Sequence, residues 1–229
     1  KYLKRRIQAK SFEKVYRIPE GYNVDETEVH DGEKGSIALV RGMLQCAKDS
    51  GYKIGGFRAV FSSSVIAAAG VSSSASFEMM ICFVLNSLYN EKKISVSEMA
   101  SIGKFAENVY WKKSSGLLDQ ISCASGGLVT IDFENEKKPE IEKIPFDFSK
   151  EGYSLVITNT GKSHADLSEE YSSIPLEMKS VASFFGKSVL REISKEDILN
   201  NLEKLRLSCG DRAVMRAFHF FEENKRVEK

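Results

Sequence analysis

Cysteine is scarce in this sequence, and the few cysteines present are not placed to form disulfides or a metal site. No CxxC pair occurs, and no histidine lies near a cysteine at a spacing typical of zinc ligands. We therefore expect reduced, buried thiols, which are typical of cytoplasmic proteins and predict that location. The cysteines concerned are Cys46, Cys82, Cys123 and Cys209.

An excess of charge and a long apolar run are also missing. Thirty-three Lys and Arg residues balance thirty-two Asp and Glu, a formal net charge of +1, which lacks the broad basic excess usual in nucleic-acid binding. The most apolar stretch, residues 59–90, carries only the charge of Glu78 but contains eight serines and two asparagines, too polar for a membrane span. The basic opening KYLKRRIQAK continues into SFEKVYR without an apolar core, so no secretory leader is expected. Neither nucleic acid nor a membrane is a predicted partner.

Proline is rare as well, with four in 229 residues, and the sequence has no internal repeat or low-complexity linker. Domain limits must therefore come from changes in hydrophobic periodicity. Strand and helix patterns alternate up to about residue 148, and helical patterns dominate afterwards. This predicts an α+β fold with two lobes, residues 1–148 and 149–229, the second of them incomplete. Because the chain starts with Lys and ends in a charged helical run, we expect it to be part of something longer.

Helical periodicity and capping patterns predict several helices before the chain turns fully helical. One runs from Ser36 to a left-handed cap near Gly51. A second, residues 75–89, is apolar on nearly every side and is predicted to be central and buried, and a third begins at the capping box of Ser95 and Glu98. A later helix is predicted to have Pro175 in its first turn. The predicted strands lie in GGFRAVFSSSV, GGLVTIDF and YSLVITNT.

The segment AAAGVSSSAS joins a predicted strand directly to the buried helix, and all of its residues are small. Small side chains let backbone N–H groups approach an anion, and the helix N-terminus adds unpaired donors and a partial positive charge. The segment is neither GxxxxGK[ST] nor GxGxxG, so the common nucleotide patterns do not apply. A serine-rich surface turn is the alternative, but a solvated linker would not join two buried elements. The pattern therefore favours a phosphate loop, whose hydroxyls Ser72, Ser73 and Ser74 could donate to phosphate or ligate magnesium.

Two carboxylates, Glu107 and Asp119, form the second candidate cluster. Glu107 lies on the third predicted helix beside Asn108, and Asp119 lies in the loop SSGLLDQIS. Taken alone, a salt bridge for Glu107 and a turn cap for Asp119 would explain them. Phosphoryl transfer, however, needs a metal against the phosphate and an oxygen base or positioner at the acceptor hydroxyl, and these carboxylates together with a phosphate loop meet that minimum. No histidine is assigned to catalysis, and no GxSxG elbow is present.

Three motifs taken in order, AAAGVSSSASFE, AENVYWKKSSGLLDQ and GGLVTIDFEN, resemble the galactokinase family, the sugar branch of the GHMP small-molecule kinases. That family carries a GLSSSAS-type phosphate loop, then AEN or AEH, then GxxDQ, then an apolar strand ending near an aspartate. The resemblance runs from about Ser36 to Tyr171. It implies a two-lobe GHMP-kinase fold and ATP-dependent phosphorylation of galactose to galactose 1-phosphate, with a small-molecule sugar, ATP and Mg²⁺ as substrates and cofactors.

The resemblance also implies roles for individual residues. Asp119 would be the catalytic residue, as the base or as the group that aligns the attacking hydroxyl. Ser74 and Glu107 would hold Mg²⁺, and Gly116 and Tyr171, together with Asp119, would contact the sugar. The ATP phosphates would be wrapped by Ala68, Ala69, Gly70, Val71, Ser72, Ser73 and Ser74.

The chain departs from the family pattern in several places. The usual PxGAGL is Ile66-Ala67-Ala68-Ala69-Gly70-Val71 here, so a turn needing positive φ at Ala68 would be strained. The family's GRxNLIGEHTDY-like opening segment and its late Gly-rich motif are absent from these residues, so we expect the 229 residues alone to be nearly inactive. Three alternatives remain: a GHMP kinase for another sugar or small alcohol, a sugar- and nucleotide-binding sensor without catalysis, and an α+β domain with chance motifs.

Overall fold

A computed structural model describes residues 2–3, 5–7, 22–30, 35–57, 59–61, 63, 65, 70–158 and 168–227. The chain divides into two compact units, Lys1–Ala165 and Asp166–Lys229. This division follows contacts within the chain and falls later than residue 148, where the sequence predicts a change of lobe; the lobe boundary itself stays a prediction. Among the described helices, none is both long and apolar enough to cross a bilayer.

The first unit combines helices with short two-stranded sheets, which confirms the predicted α+β class. The elements are β1 (Tyr2–Leu3), β2 (Arg5–Ile7), β3 (Tyr22–Asn23), α1 (Ser36–Asp49), β4 (Ala59–Phe61), α2 (Ser73–Tyr89), α3 (Val96–Phe105), α4 (Leu118–Ser125), β5 (Leu128–Asp132) and β6 (Glu140–Ile144). β1 pairs with β3 antiparallel, β2 with β4 in parallel and β5 with β6 antiparallel. The helix α3 continues without a break into a π-helical turn, Ala106–Tyr110.

The core of the first unit forms where α1, α2 and α3 meet. Their apolar residues recur at helical spacing, so each helix presents one side chain after another to the same interior. Gly42 of α1 lies against Ala106 so closely that an added Cβ would be 2.8 Å from the Ala106 Cα. The helices can therefore approach each other, and the largest buried core side chains include Leu39, Met43, Met79, Ile81 and Leu85.

The helix predictions hold in most of this unit. α1 begins at Ser36 and is followed by Gly51 in a left-handed conformation, φ +81°. The capping box of Ser95 and Glu98 is formed at the start of α3. The prediction that α2 is central and buried holds only in part, because Met79, Ile81 and Leu85 are buried while Phe83 and Leu88 are exposed.

Of the two strands predicted after residue 125, one is confirmed and the other is wrong. GGLVTIDF contains β5, as expected, and β5 pairs with β6, a strand that the sequence pattern does not predict. The prediction of a strand in YSLVITNT is wrong for the described residues 153–158, which form no strand. Leu155, Val156 and Ile157 are largely exposed, and without a neighbouring ladder β-branched composition alone does not make a strand.

The second unit is helical. Its helices pack around a small apolar centre that includes Val181, Ile198 and Leu205. The prediction that Pro175 lies in a first turn is wrong, because the helix that contains it begins at Ser168. Ser194 and Asp197 form a capping box before Lys195–Asn200. The helices are α5 (Ser168–Phe184), α6 (Lys195–Asn200), α7 (Leu202–Cys209) and α8 (Asp211–Val227), with a 3₁₀ turn at Leu190–Glu192.

Candidate functional site

The serine-rich loop ends where α2 begins. Gly70 has a φ of +74° and Ser72 a left-handed conformation, φ 55°, so the chain turns sharply before the helix. Ser72 makes no side-chain capping bond, and Ser73 and Ser74 occupy the first helical turn. Backbone N–H groups of that turn are thus available to an anion, as the sequence predicts. Ala68 and Ala69 lie outside the described residues, and their predicted contacts stay predictions.

Ser74 and Glu107 meet directly. The hydroxyl of Ser74 donates a hydrogen bond of 2.7 Å to Oε1 of Glu107. Glu107 comes from the π-helical turn after α3, a wider form of helix that is often found at functional sites. As a whole residue, Glu107 is 1% exposed. The two residues that the sequence analysis predicts as metal ligands are therefore brought together at the N-terminus of α2.

Two further side chains hold the same carboxylate. Lys113 Nζ lies 2.8 Å from Oε1 of Glu107, and Gln120 Nε2 donates to Oε2 over 3.4 Å. Burial opposes ionisation of Glu107, but the hydrogen bonds from Lys113 and Ser74 and the charge of Lys113 outweigh it. The pKa of Glu107 is consequently lowered from its ordinary value. Glu107 is therefore held ionised, as a metal ligand must be.

Sequence patterns alone assign no role to Glu78, which lies on α2 and shares an amide partner with this carboxylate. Its side chain is fully buried, and its Oε2 accepts a hydrogen bond of 3.1 Å from the same Gln120 amide. Burial, reinforced by the charge of Glu107, raises the pKa of Glu78 to about 8. The sequence does contain a sign that Glu78 is unusual, since it is the only charged residue in residues 59–90. A lone acid inside an apolar helix needs a partner, and that partner is on another helix.

The loop between the π-helical turn and α4 is fastened by Asn108. Its side-chain oxygen accepts a 2.8 Å bond from the Ser115 N–H, and its amide donates to the Ser115 carbonyl over 3.3 Å. This two-point bond closes residues 108–115 into a compact loop. Lys112 within it has a positive φ of 54°. The loop in turn positions Lys113 against Glu107 and leads into α4.

The other predicted site residues are placed as follows. Asp119 lies exposed in the first turn of α4, immediately before Gln120, whose side chain points inward to Glu107 and Glu78. Gly116 is exposed, and a Cβ there would meet nothing within 4 Å. Tyr171 is half exposed on α5, in the second unit. The chain thus brings Ser74, Glu107 and the start of α4 together, while the predicted sugar contacts of Gly116 and Tyr171 stay predictions.

The oxygens of Ser74 and Glu107 suit a hard cation that takes its remaining ligands from phosphate and water. In the part of the chain that the structure describes, no three His, Cys, Asp or Glu side chains lie together as a self-sufficient metal site. Ser74 and Glu107 offer a hydroxyl and a carboxylate only 2.7 Å apart. Mg²⁺ commonly binds through one or two protein oxygens together with phosphate oxygens and water.

Comparison with known proteins gives consistent matches over most of the chain. Residues 38–127 match the family described as GHMP kinases N terminal domain. The chain is 32% identical to a galactokinase of Pyrococcus furiosus over 195 residues, which is 84% of this chain and 54% of that protein. It is 30% identical to a galactokinase of Lactococcus lactis subsp. lactis over 213 residues, 90% of this chain and 51% of that protein.

A solved structure agrees with these relatives. The crystal structure of Lactococcus lactis galactokinase complexed with galactose superposes with a TM-score of 0.68 at 26% identity, covering 94% of this chain and 55% of that one. The chain therefore spans about half the length of the relatives it matches. The motifs, the fold and these matches agree: residues 38–127 form a GHMP kinase N-terminal domain, and the chain is similar to galactokinases over most of its length.

Proposed function

We propose that the protein catalyses ATP-dependent phosphorylation of galactose to galactose 1-phosphate. The observation that carries the proposal is the 2.7 Å bond between Ser74 and Glu107, because it joins the phosphate loop to a buried carboxylate. The galactokinase relatives support galactose as the acceptor. The proposal concerns the activity of the whole protein.

The N-terminus of α2 would bind the nucleotide phosphates. The chain turns at Gly70 and Ser72, the first N–H groups of the helix have no partner within the helix, and Ser73 adds a hydroxyl donor. Such donors, together with the helix dipole, favour an anionic group at this position. Ala68, Ala69 and Val71 would complete the loop around ATP, as the family resemblance implies.

Ser74 and Glu107 would hold Mg²⁺ beside those phosphates. Bound there, Mg²⁺ would neutralise the charge on the phosphoryl oxygens as the group is transferred. The protein contributes a carboxylate that is ionised and held in one orientation, since Lys113 binds one of its oxygens and Gln120 the other. Gln120, which is also bonded to Glu78, keeps the carboxylate group oriented when a cation binds at Oε1.

Asp119 would act on the acceptor. The sugar hydroxyl attacks the γ-phosphorus of ATP, the bond to the ADP oxygen breaks, and the hydroxyl proton must be accepted or released. An exposed carboxylate in the first turn of α4, one residue from Gln120 in the Glu107 cluster, is suited to align that hydroxyl and take the proton. Gly116 would leave room for the sugar beside Asp119, and Tyr171 would contact it.

The proposal is tested by following ADP release by the full-length protein with a panel of acceptors. The panel contains galactose, glucose, a uronic acid and a small alcohol, each with ATP and Mg²⁺. We expect kcat/KM to be highest for galactose and the product to be the 1-phosphate by ³¹P NMR. Faster turnover of another acceptor would assign a different GHMP kinase activity. Binding of ATP and galactose without ADP release would instead assign a sensor, and either result would overturn the proposal.

A further inference from the structure

Oε1 of Glu107 is shared by two donors. The Ser74 hydroxyl lies 2.7 Å from it and the Lys113 ammonium 2.8 Å, while Gln120 binds the other oxygen. A carboxylate oxygen has two lone pairs in its plane, and these two bonds use both. A divalent cation that binds this oxygen must therefore take the place of one of them.

The three donors differ in how easily they can leave. Ser74 is fixed in the first turn of α2, and Gln120 is 1% exposed and bonded to Glu78 as well. The Lys113 side chain is 42% exposed, whereas that of Glu107 is 2% exposed. The long lysine stem can turn its charged end into solvent without burying an unpaired charge. Lys113 is thus the donor that can move.

We propose that the Lys113 ammonium is a built-in competitor of the divalent cation for Oε1 of Glu107. The inference rests on the metal-binding role of Glu107 in the proposed function. Metal binding is then an exchange, in which the ammonium leaves the oxygen as the divalent ion arrives. A monovalent and a divalent cation cannot share one oxygen without strong repulsion, so Lys113 lowers metal affinity. In return it keeps the buried carboxylate paired, since an unpaired buried charge is costly.

The test measures Mn²⁺ binding to the full-length protein in the presence of ADP. Free Mn²⁺ is followed by its EPR signal at pH 7.5, so the readout does not depend on turnover. The variants are K113M, which removes the ammonium, and K113R, which keeps a cation. K112M is the matched control, because it removes the same charge from the neighbouring residue, which is exposed.

We expect K113M to tighten Mn²⁺ binding by about three- to tenfold, an amount consistent with a partly exposed ion pair. K113R should stay near wild type, and K112M should change the Kd by less than about twofold, since the charge of an exposed side chain is screened by solvent and salt. Unchanged or weaker binding by K113M would overturn the inference. Should K113M prove unstable to heat, K113Q, which keeps a neutral donor, must show the same tightening.

E107Q separates failure of the inference from failure of the proposed metal site. If E107Q weakens Mn²⁺ binding while K113M and K113Q fail to tighten it, the metal site stands and the competition is wrong. If E107Q leaves binding unchanged, Glu107 is not a ligand, and the metal role and the inference fail together. Weakened binding by E107Q together with tightening by K113M supports both.

Discussion

Gly103 on α3 faces the carboxylate of Glu78 on α2 with no room for a side chain between them. A Cβ at residue 103 would lie 2.7 Å from Oε2 of Glu78 and 3.1 Å from Cγ of Gln120. The space that a side chain at residue 103 would need is filled by the buried acid and its amide partner. The bonds from Gln120 to Glu78 and Glu107 therefore depend on glycine at this position.

The variant G103A should consequently be destabilised. Overpacking of a buried site costs about 1–3 kcal/mol, which outweighs the gain in helix propensity from alanine. Urea denaturation followed by circular dichroism measures the free energy of unfolding. G116A is the control, because a Cβ there meets nothing within 4 Å and should change stability by less than about 0.5 kcal/mol. Equal stability of the two variants would contradict the close approach.

Glu78 should make stability depend on pH. In the unfolded chain Glu78 ionises near its ordinary pKa of 4.5, whereas in the folded protein burial raises its pKa to about 8. Between these values the folded state holds a proton that the unfolded state has lost, so stability falls as pH rises from about 4.5 to 8. Below 4.5 both states are protonated, and this residue contributes no slope.

The matched variant is E78Q, which keeps the shape of the side chain but cannot ionise. Its free energy of unfolding should exceed that of the wild type by a margin that grows between pH 5 and pH 8, on the order of a few kcal/mol at most. Urea midpoints of both proteins at pH 5, 6, 7 and 8 give the comparison. A margin that is the same at every pH would show that Glu78 titrates normally.

The parts of this fold and site that the sequence predicts are local ones. α1 with its glycine cap and the capping box of Ser95 and Glu98 arise from residues within a few positions of each other. The approach of Ser74 to Glu107 was expected only because the motifs resemble those of a family, since 33 residues separate the two in the chain. Periodicity alone would have left both as surface residues.

What the sequence did not predict depends on packing between helices. Glu78 is visible as a lone charge, yet its burial is set by Gly103 and Gln120, which come from two other helices. Pro175 favours a first turn, but the helix starts earlier and accommodates it. The apolar segment around Val156 has the composition of a strand but forms none, because this composition has no effect without a strand beside it.

Removal of the Ser74 hydroxyl should weaken the response to metal. S74A deletes one of the two oxygens that meet at the start of α2, so the Mg²⁺ concentration for half-maximal rate should rise several-fold. S73A removes a neighbouring hydroxyl from the same helical turn and serves as the control. Magnesium titrations of the ATP-dependent rate at saturating galactose measure both. The metal assignment of Ser74 would be wrong if S73A had the larger effect.

Asn108 should control the order of the loop that carries Lys113. N108A removes both bonds to Ser115, leaving a backbone N–H without its partner at a cost of about 1–3 kcal/mol if it stays shielded from water. N108D keeps the acceptor for the Ser115 N–H and should retain more of the stability. Hydrogen exchange at the Ser115 amide reports the loop directly and should accelerate in N108A more than in N108D. Equal protection in both would mean that other contacts hold the loop.

Asp119 should affect turnover far more than nucleotide binding. Its carboxylate lies exposed in the first turn of α4, outside the hydrogen bonds that hold Glu107, so its loss leaves that cluster intact. D119N keeps the size of the side chain but removes its basicity, and kcat should fall by about 10²–10⁴-fold, the usual contribution of a positioned base. The Kd for ATP, from calorimetry, should stay within about twofold because that cluster is unchanged. E151Q is the control for charge, because it neutralises an exposed carboxylate that follows β6 in the chain. A D119N enzyme with wild-type kcat would exclude Asp119 from the transfer step, and loss of ATP binding in D119N would place it at the nucleotide instead.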